Sequence, residues 1–207
     1  MNNQPTTNCY KNIIFDLGGV LINFNPRHVI ANTFQHESRI PWELLESVSS
    51  QEWLDMDRGT LDYQEAVERF ATRYPRESFI KFYDAVHEAL APIDEGVEIL
   101  RHVQARGYKT YILSNLGQRS HEKLSTIDNF FSSFHGAIFS YQVKTIKPEP
   151  AIYQLLLNTY NLKPEESLFI DDLEVNINGA KQHGIDGIVC TDHATVREEL
   201  KKHRILP

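Results

Sequence analysis

The chain of 207 residues is long enough to bury a sizeable core in one or two domains. Its 41% hydrophobic and 24% charged residues exclude fibrous and broadly disordered classes. The 21 Lys and Arg are outnumbered by 28 Asp and Glu, and the net charge of -7 argues against nucleic acid and membrane surfaces as partners, while local groups can still hold a small phosphorylated anion.

The opening MNNQPTTNCYKN lacks a basic stretch followed by an apolar one, and no window of about 18 apolar residues is found, which places the protein in the cytoplasm. The two cysteines, Cys9 and Cys190, have neither metal-ligand spacing nor a disulfide framework, in keeping with a reducing compartment. Asn12 to Phe15 is the first short apolar run and is predicted to be a buried strand. From Asn25 to Pro92 the periodicity turns helical. Pro41 is predicted to open a helix, because a first turn has no use for its missing N–H. Asp62 and Glu65 have capping-box spacing, and Ala66, Val67, Phe70, Ala71 and Tyr74 then share one face until Pro75 stops the run. Ser78 is predicted to cap a following helix striped by Phe79, Phe82, Val86 and Leu90. Val97, Leu100 and Val103 mark the next helix, which Gly107 ends.

Strands are then predicted at Thr110 to Leu113, Ala137 to Phe139, Ser167 to Ile170 and Gly187 to Cys190. Nearly continuous apolar runs separated by helix-length segments predict a doubly wound α/β core, its mostly parallel sheet covered on both faces. The helical insert interrupts this core. Residues 1–24 and 92–207 are therefore assigned to the core and 25–91 to a helical cap, with hinges near Asn25 and Pro92.

In an open parallel sheet, ligands bind at the carboxyl ends of the strands. The polar residues there are Asp16 after NIIF, Ser114 and Asn115 after YIL, Lys147 within KPEPAIY, and Asp171 and Asp172 after SLFI. A carboxylate such as Asp16 can displace an alcohol from phosphorus, forming an aspartyl-phosphate that water then hydrolyses. Gly18 and Gly19 allow a tight turn and close backbone approach to a phosphate. Ser114 supplies a hydroxyl and Asn115 an amide for phosphoryl oxygens. Lys147, placed by Pro148 at the start of a helix, has an ammonium able to neutralise Asp16 and a transferring phosphoryl group. The adjacent carboxylates Asp171 and Asp172 repel unless a cation compensates them, and Mg²⁺, which takes carboxylates, waters and phosphate oxygens, meets that need.

FDLGGVL, ILSN, KPEPAIY and FIDDLEVNINGA resemble, in order and spacing, the motifs of haloacid dehalogenase-type hydrolases, and the resemblance runs from Asn12 to about Cys190. The insert after the first motif is similar to the cap of the subgroup holding phosphoglycolate phosphatases, the phosphatase domain of epoxide hydrolases and sugar-1-phosphate (α-D-glucose 1-phosphate) phosphatases. The resemblance implies a Rossmann-like core and a Mg²⁺-dependent phosphatase acting on a small phosphorylated metabolite. It implies Asp16 as nucleophile, Lys147 as catalytic cation and phosphate ligand, and Ser114 and Asn115 as phosphate-binding residues. It further implies metal contacts from Asp16, the Gly18 carbonyl, Asp172 and Asp171, with Asp172 the direct ligand of the acidic pair and Asn176 the later polar position.

The family commonly carries a second Asp two residues after the nucleophile as general acid and base, where this chain has Gly18. Its loss removes a contribution of about 10²- to 10⁴-fold. A slow enzyme, another base, or a substrate whose oxygen departs easily would answer that loss. A hexose 1-phosphate meets the third condition, and the sugar-1-phosphate phosphatases are similar in carrying Gly there. The alternative is a non-catalytic phosphometabolite-binding protein; a 2-haloacid dehalogenase is disfavoured by the FIDD pair and a phosphomutase by Gly18. In the insert, Trp42, Trp53, Tyr63, Phe70 and Tyr74 could line a specificity pocket, and Asp57 and Arg58 before Gly59 could reach a substrate from the cap; bundle core for the aromatics and a solvated turn for the pair are the favoured readings. None of the nine histidines is assigned as a base.

Overall fold

The computed structural model describes residues 10–128 and 130–207, so the leader with Cys9 lies outside the described residues. Strands β1 (Asn12–Phe15), β2 (Lys109–Ser114), β3 (Gly136–Phe139), β4 (Ser167–Asp171) and β5 (Asp186–Val189) form one sheet. Their order is β3-β2-β1-β4-β5 and every pairing is parallel. The predicted runs match within a residue or two; β5 starts at Asp186 rather than Gly187 and ends before Cys190.

Helices α1 (Pro26–Thr33), α2 (Leu45–Val48), α3 (Gln51–Arg58), α4 (Tyr63–Phe70) and α5 (Arg76–Glu88) lie between β1 and β2. They are followed by α6 (Asp94–Ala105), α7 (Gln118–Leu124), α8 (Ser140–Val143), α9 (Pro150–Tyr160), α10 (Glu174–Lys181) and α11 (His193–Lys202). Among the described residues, no helix is long and apolar enough to cross a membrane.

Neighbouring residues of β1 serve opposite layers. Ile13 and Phe15 pack with Leu100 and Val103 of α6 and with Val196 and Leu200 of α11. Ile14 packs with Ile152 and Leu156 of α9 and with Ile177 and Ala180 of α10. Burial on both faces is why the strand sequence is apolar throughout rather than alternating.

The insert has a separate hydrophobic cluster running from Val29 to Val86. Phe70 stacks on Phe79 with ring centroids 4.1 Å apart, and Trp53 meets Tyr83 edge-on at 5.6 Å. Fully burying such a side chain is worth about 1.5–3 kcal/mol. As predicted, the Asp62 carboxylate caps α4, accepting from the Glu65 amide at 2.9 Å. The chain crosses into and out of the insert side by side: the Asn23 amide donates to the Ala91 carbonyl and the Ile93 amide to the Leu21 carbonyl, both at 2.8 Å.

Several local expectations need correction. Ser78 does not cap α5, because that helix already begins at Arg76 with Pro75 as the preceding residue, so the locked φ of proline sets the start. Leu90 follows the end of α5 and is buried with the sheet cluster instead. Pro41 opens a short 3-10 turn, Trp42–Leu44, before α2. Trp42 is 39% exposed beneath the Arg27 guanidinium and is not bundle core.

Candidate active site

Phe15 of β1 is level with Ile112 of β2 and Ile170 of β4, so the next residue of β1, Asp16, stands beside Asp171 at the carboxyl edge of the sheet. The Asp16 amide confirms the register by donating to the Ile170 carbonyl at 2.9 Å. Strand order reverses between β1 and β4, the place where an open α/β sheet leaves a crevice for ligands.

Lys147 joins the two carboxylates. Its Nζ lies 2.9 Å from Asp16 Oδ1 and 2.6 Å from Asp171 Oδ2, and the three groups are almost wholly buried. Lys147 is not at the start of a helix: α9 begins at Pro150, and Lys147 lies in the preceding loop before a cis bond to Pro148. Asn115 holds it there. The Asn115 side-chain amide donates to the Lys147 carbonyl at 3.0 Å, and the Lys147 amide donates to Asn115 Oδ1 at 2.7 Å. Ser114, the last residue of β2, is buried and lines the cavity together with Asn115.

The acidic pair divides its work. Asp171 is fully buried and accepts from Lys147, from Asn176 Nδ2 at 3.0 and 3.1 Å, and from the Leu173 amide at 2.8 Å. Asp172 is exposed and borders the cavity. Gly19 makes room for it: with φ at 70°, Gly19 is left-handed, and a Cβ there would lie 2.9 Å from the Asp172 carboxyl carbon. Gly18 has no such constraint, the nearest atom to an added Cβ being Phe24 Cβ at 3.8 Å.

Asp16, Asp171 and Asp172 offer carboxylate oxygens within 4.8 Å of one another. One ammonium does not balance this charge. Burial is the main cause that pushes Asp16 up to about 7; Lys147 pulls it down and Asp171 pushes it further up. Burial and then Asp171 likewise raise Asp172. Burial opposes the Lys147 charge, yet Asp16 and Asp171 together hold its ammonium above the usual lysine value. An all-oxygen, negatively charged donor set with this deficit of positive charge fits a hard divalent cation such as Mg²⁺.

Above the carboxylates is a cavity of about 310 Å³. Its walls include Ile22, Phe24, Trp53, Leu54, Leu90 and Leu124, so it is largely apolar away from the sheet edge. Trp53 therefore belongs to both the bundle core and the cavity wall. Phe70 and Tyr74 are insert core as predicted, and Tyr63 packs at its margin.

Tyr83, His87 and Ser120 on these walls were not named from the sequence, and Asp57 beside them was named only as the less favoured alternative. Asp57 and Arg58 are not a solvated turn. They form the last turn of α3, where the Ser140 hydroxyl donates to the Asp57 carbonyl at 2.5 Å and Arg58 pairs with Glu149 at 2.7 Å. Burial lowers His87 to about 4, and its Nδ1 donates to the Tyr83 carbonyl at 2.7 Å, which leaves it neutral near pH 7. Helical spacing alone does not say which face of α3 or α5 meets the sheet, so no sequence signal marked Tyr83 or His87, and the turn before Gly59 was the one signal for Asp57.

A model of the haloacid dehalogenase-like hydrolases matches residues 10–184. A sesquiterpene phosphatase of Aspergillus oryzae is 24% identical over 195 residues, spanning 93% of this chain and 96% of its own. A phosphorylated carbohydrates phosphatase of Thermotoga maritima is 27% identical over 190 residues, spanning 88% of this chain and 85% of its own. Among solved structures, an enzyme of the same family from Bacteroides thetaiotaomicron, in complex with magnesium, superposes with a TM-score of 0.69 at 26% identity, covering 87% of this chain and 93% of its own.

Proposed function

Because the chain belongs to the haloacid dehalogenase-like hydrolase family, we propose that it is a Mg²⁺-dependent phosphatase in which Asp16 attacks the phosphorus of a small phosphorylated metabolite. The observation that carries this reading is the buried Asp16–Lys147–Asp171 set at the sheet edge, opening on the cavity. In the first step the Asp16 carboxylate forms an aspartyl-phosphate and the alcohol leaves; in the second, water releases phosphate and restores the carboxylate. Lys147 holds Asp16 in line and offers positive charge to the phosphoryl oxygens, while the Ser114 hydroxyl and Asn115 with its neighbouring backbone amides bind them.

Asp16, Asp172 and the Gly18 carbonyl would hold the metal, and Asp171, whose oxygens are engaged by Lys147, Asn176 and Leu173, would support them. When bound, Mg²⁺ supplies charge neutralisation between the carboxylates and the phosphoryl oxygens. The helical insert, residues 25–91, acts as the cap, with residues 1–24 and 92–207 as the catalytic core.

Gly18 points to a substrate with a good leaving oxygen, such as a hexose 1-phosphate. The relative that acts on phosphorylated carbohydrates is in keeping with this. The apolar walls favour a second reading, the phosphate of an apolar alcohol, since each sugar hydroxyl pressed against Ile22, Phe24 or Leu54 would lack a partner. The similarity to a sesquiterpene phosphatase points the same way.

The test is phosphate release from hexose 1-phosphates, hexose 6-phosphates and prenyl or alkyl monophosphates, with Mg²⁺ and with EDTA, for wild type and Asp16→Asn. Release that needs Mg²⁺ and falls by at least about 10⁴-fold in Asp16→Asn is the expected result. Preference for the 6-phosphates rules out the activated-leaving-group reading. No release from any compound makes the chain a phosphometabolite-binding protein.

A further inference from the structure

We propose that Asp57, carried to the site by the helical insert, is the proton donor and acceptor of the phosphoryl transfer, the role that Gly18 leaves without a carboxyl. The proposal rests on Asp16 being the nucleophile. Both residues line the same cavity, Asp16 from the sheet edge and Asp57 from the last turn of α3, and the Asp16 charge is felt at the Asp57 carboxyl. The turn that bears Asp57 is pinned over the sheet. Besides the Ser140 contact to its carbonyl and the Arg58–Glu149 pair, the Lys144 ammonium donates to the Gly59 carbonyl at 2.5 Å, and Gly59 ends α3 in a left-handed conformation. Contacts of this kind fix where the Asp57 side chain stands relative to Asp16, which a proton donor requires and a surface turn does not.

The charged and titratable groups around Asp57 are Asp16, Asp172 and Lys147 at the sheet edge, Tyr83 and His87 of α5, and Arg119 of α7. Burial pushes the Asp57 carboxyl up to about 8; the facing Gly117 amide offsets part of this, and Asp16 adds to it. His87 stays neutral and the Tyr83 phenol is pushed above its usual value by burial, so neither exchanges a proton as readily near pH 7. Asp57 is thus the acid on this wall that is protonated at neutral pH and can still ionise.

The steps balance. As the Asp16 oxygen–phosphorus bond forms and the ester P–O bond breaks, Asp57 gives its proton to the departing oxygen, leaving an alcohol, an aspartyl-phosphate and an Asp57 carboxylate. Water then attacks phosphorus and gives its proton to Asp57. The bond between phosphorus and Asp16 breaks, releasing phosphate and regenerating both carboxyls in their starting forms. With this donor in place the leaving oxygen needs no activation of its own, so alkyl phosphates suited to the apolar walls come within range.

The experiment compares full-length wild type, Asp57→Asn and Asp16→Asn, with Mg²⁺, on an alkyl phosphate and on p-nitrophenyl phosphate, whose leaving group needs no proton. Asp57→Asn is expected to lose about 10²- to 10⁴-fold in kcat on the alkyl ester. On the aryl ester it should release one burst of phenolate per chain and accumulate phosphoryl-enzyme detectable by intact mass, because the second step lacks its base. The wild-type kcat/KM on the alkyl ester should fall above pH 8, and that fall should be absent in the variant. Equal losses on both esters without phosphoryl-enzyme, or no loss at all, would overturn the proposal in favour of a docking role for Asp57. Should Asp57→Asn fail to fold, the wild-type dependence of kcat/KM on leaving-group pKa decides: a shallow slope supports a proton donor and a steep one overturns it. Wild-type turnover that persists in Asp16→Asn would instead remove the nucleophile on which the proposal rests.

Discussion

The carboxyl edge of the sheet and the helical insert both face the cavity, but their charged groups are held by different means. At the sheet edge, position follows from strand register: Asp16 and Asp171 stand side by side because Phe15 and Ile170 are paired, and one buried lysine joins them. The insert has its own apolar core and reaches the rest of the molecule through polar contacts, including the partly exposed pairs Arg58–Glu149, Arg119–Asp84 and Lys123–Glu88. Groups at the sheet edge are therefore expensive to disturb, whereas the turn of the insert that bears Asp57 is fixed by a set of polar contacts at the rim. The proposed phosphoryl transfer draws on both, since Asp16 as nucleophile and Asp57 as proton donor each need a fixed position.

The largest break in this contrast is at Lys147. Lys147→Met leaves Asp16 and Asp171 buried without their shared cation, and removal of one partner from such a set costs about 3–5 kcal/mol. Urea denaturation of the metal-free protein should show this loss, and Mg²⁺ should restore more stability to the variant than to wild type. The same loss should not follow from removing an insert cation.

The pH response separates the two regions next. Asp16 is raised from 3.8 to about 7 and Asp57 from 3.8 to about 8, so between those limits the folded chain holds protons that the unfolded chain has released. Stability then falls as pH rises through the window. His87 acts oppositely, but only between about 4 and 6.5, which leaves pH 6.5 to 8.5 as the clean interval. Melting temperature of the metal-free protein is expected to drop across it. Mg²⁺ should remove the Asp16 part of the drop and leave the Asp57 part, whereas Asp57→Asn should do the reverse. A drop that neither change reduces would show that these carboxyls do not govern the slope.

Gly18 and Gly19 mark how far the sequence was legible. Both read as turn residues, yet only Gly19 has positive φ and only Gly19 crowds Asp172. Gly19→Ala should cost about 1–3 kcal/mol and displace the Asp172 carboxylate, the proposed metal ligand, while Gly18→Ala should change stability by less than about 1 kcal/mol. Thermal melts and Mg²⁺ titration of the two variants check this. The strands, their parallel pairing and the placement of Asp16 and Asp171 were readable because a doubly buried strand leaves a continuous apolar run with a polar residue at its end, whereas Lys147, which lies in a loop, was marked by the KPEPAIY resemblance. Asp57 was readable only as a less favoured alternative to a solvated turn. Its side chain matters through a face of α3 that touches α8, and contacts between segments some 80 residues apart leave no periodicity in either one.

The smallest effect is expected at the rim. Arg58 and Glu149 approach to 2.7 Å, but their side chains remain 22% and 41% exposed, and the Arg58 guanidinium is the first cause holding Glu149 down at about 2. Solvent screening limits such a pair to about 0–1 kcal/mol, so Arg58→Ala should hardly move the melting temperature. Its consequence belongs to position rather than stability. Arg58 adjoins Asp57, and the pair ties the end of α3 to the loop between Lys147 and α9. Arg58→Ala should therefore lower kcat on an alkyl phosphate more than it lowers stability, with p-nitrophenyl phosphate less affected, while Lys123→Ala, which breaks a rim pair remote from Asp57, should leave both unchanged. If the two alanine variants behaved alike, the insert would be held over the sheet by its rim as a whole and not by the turn that carries Asp57.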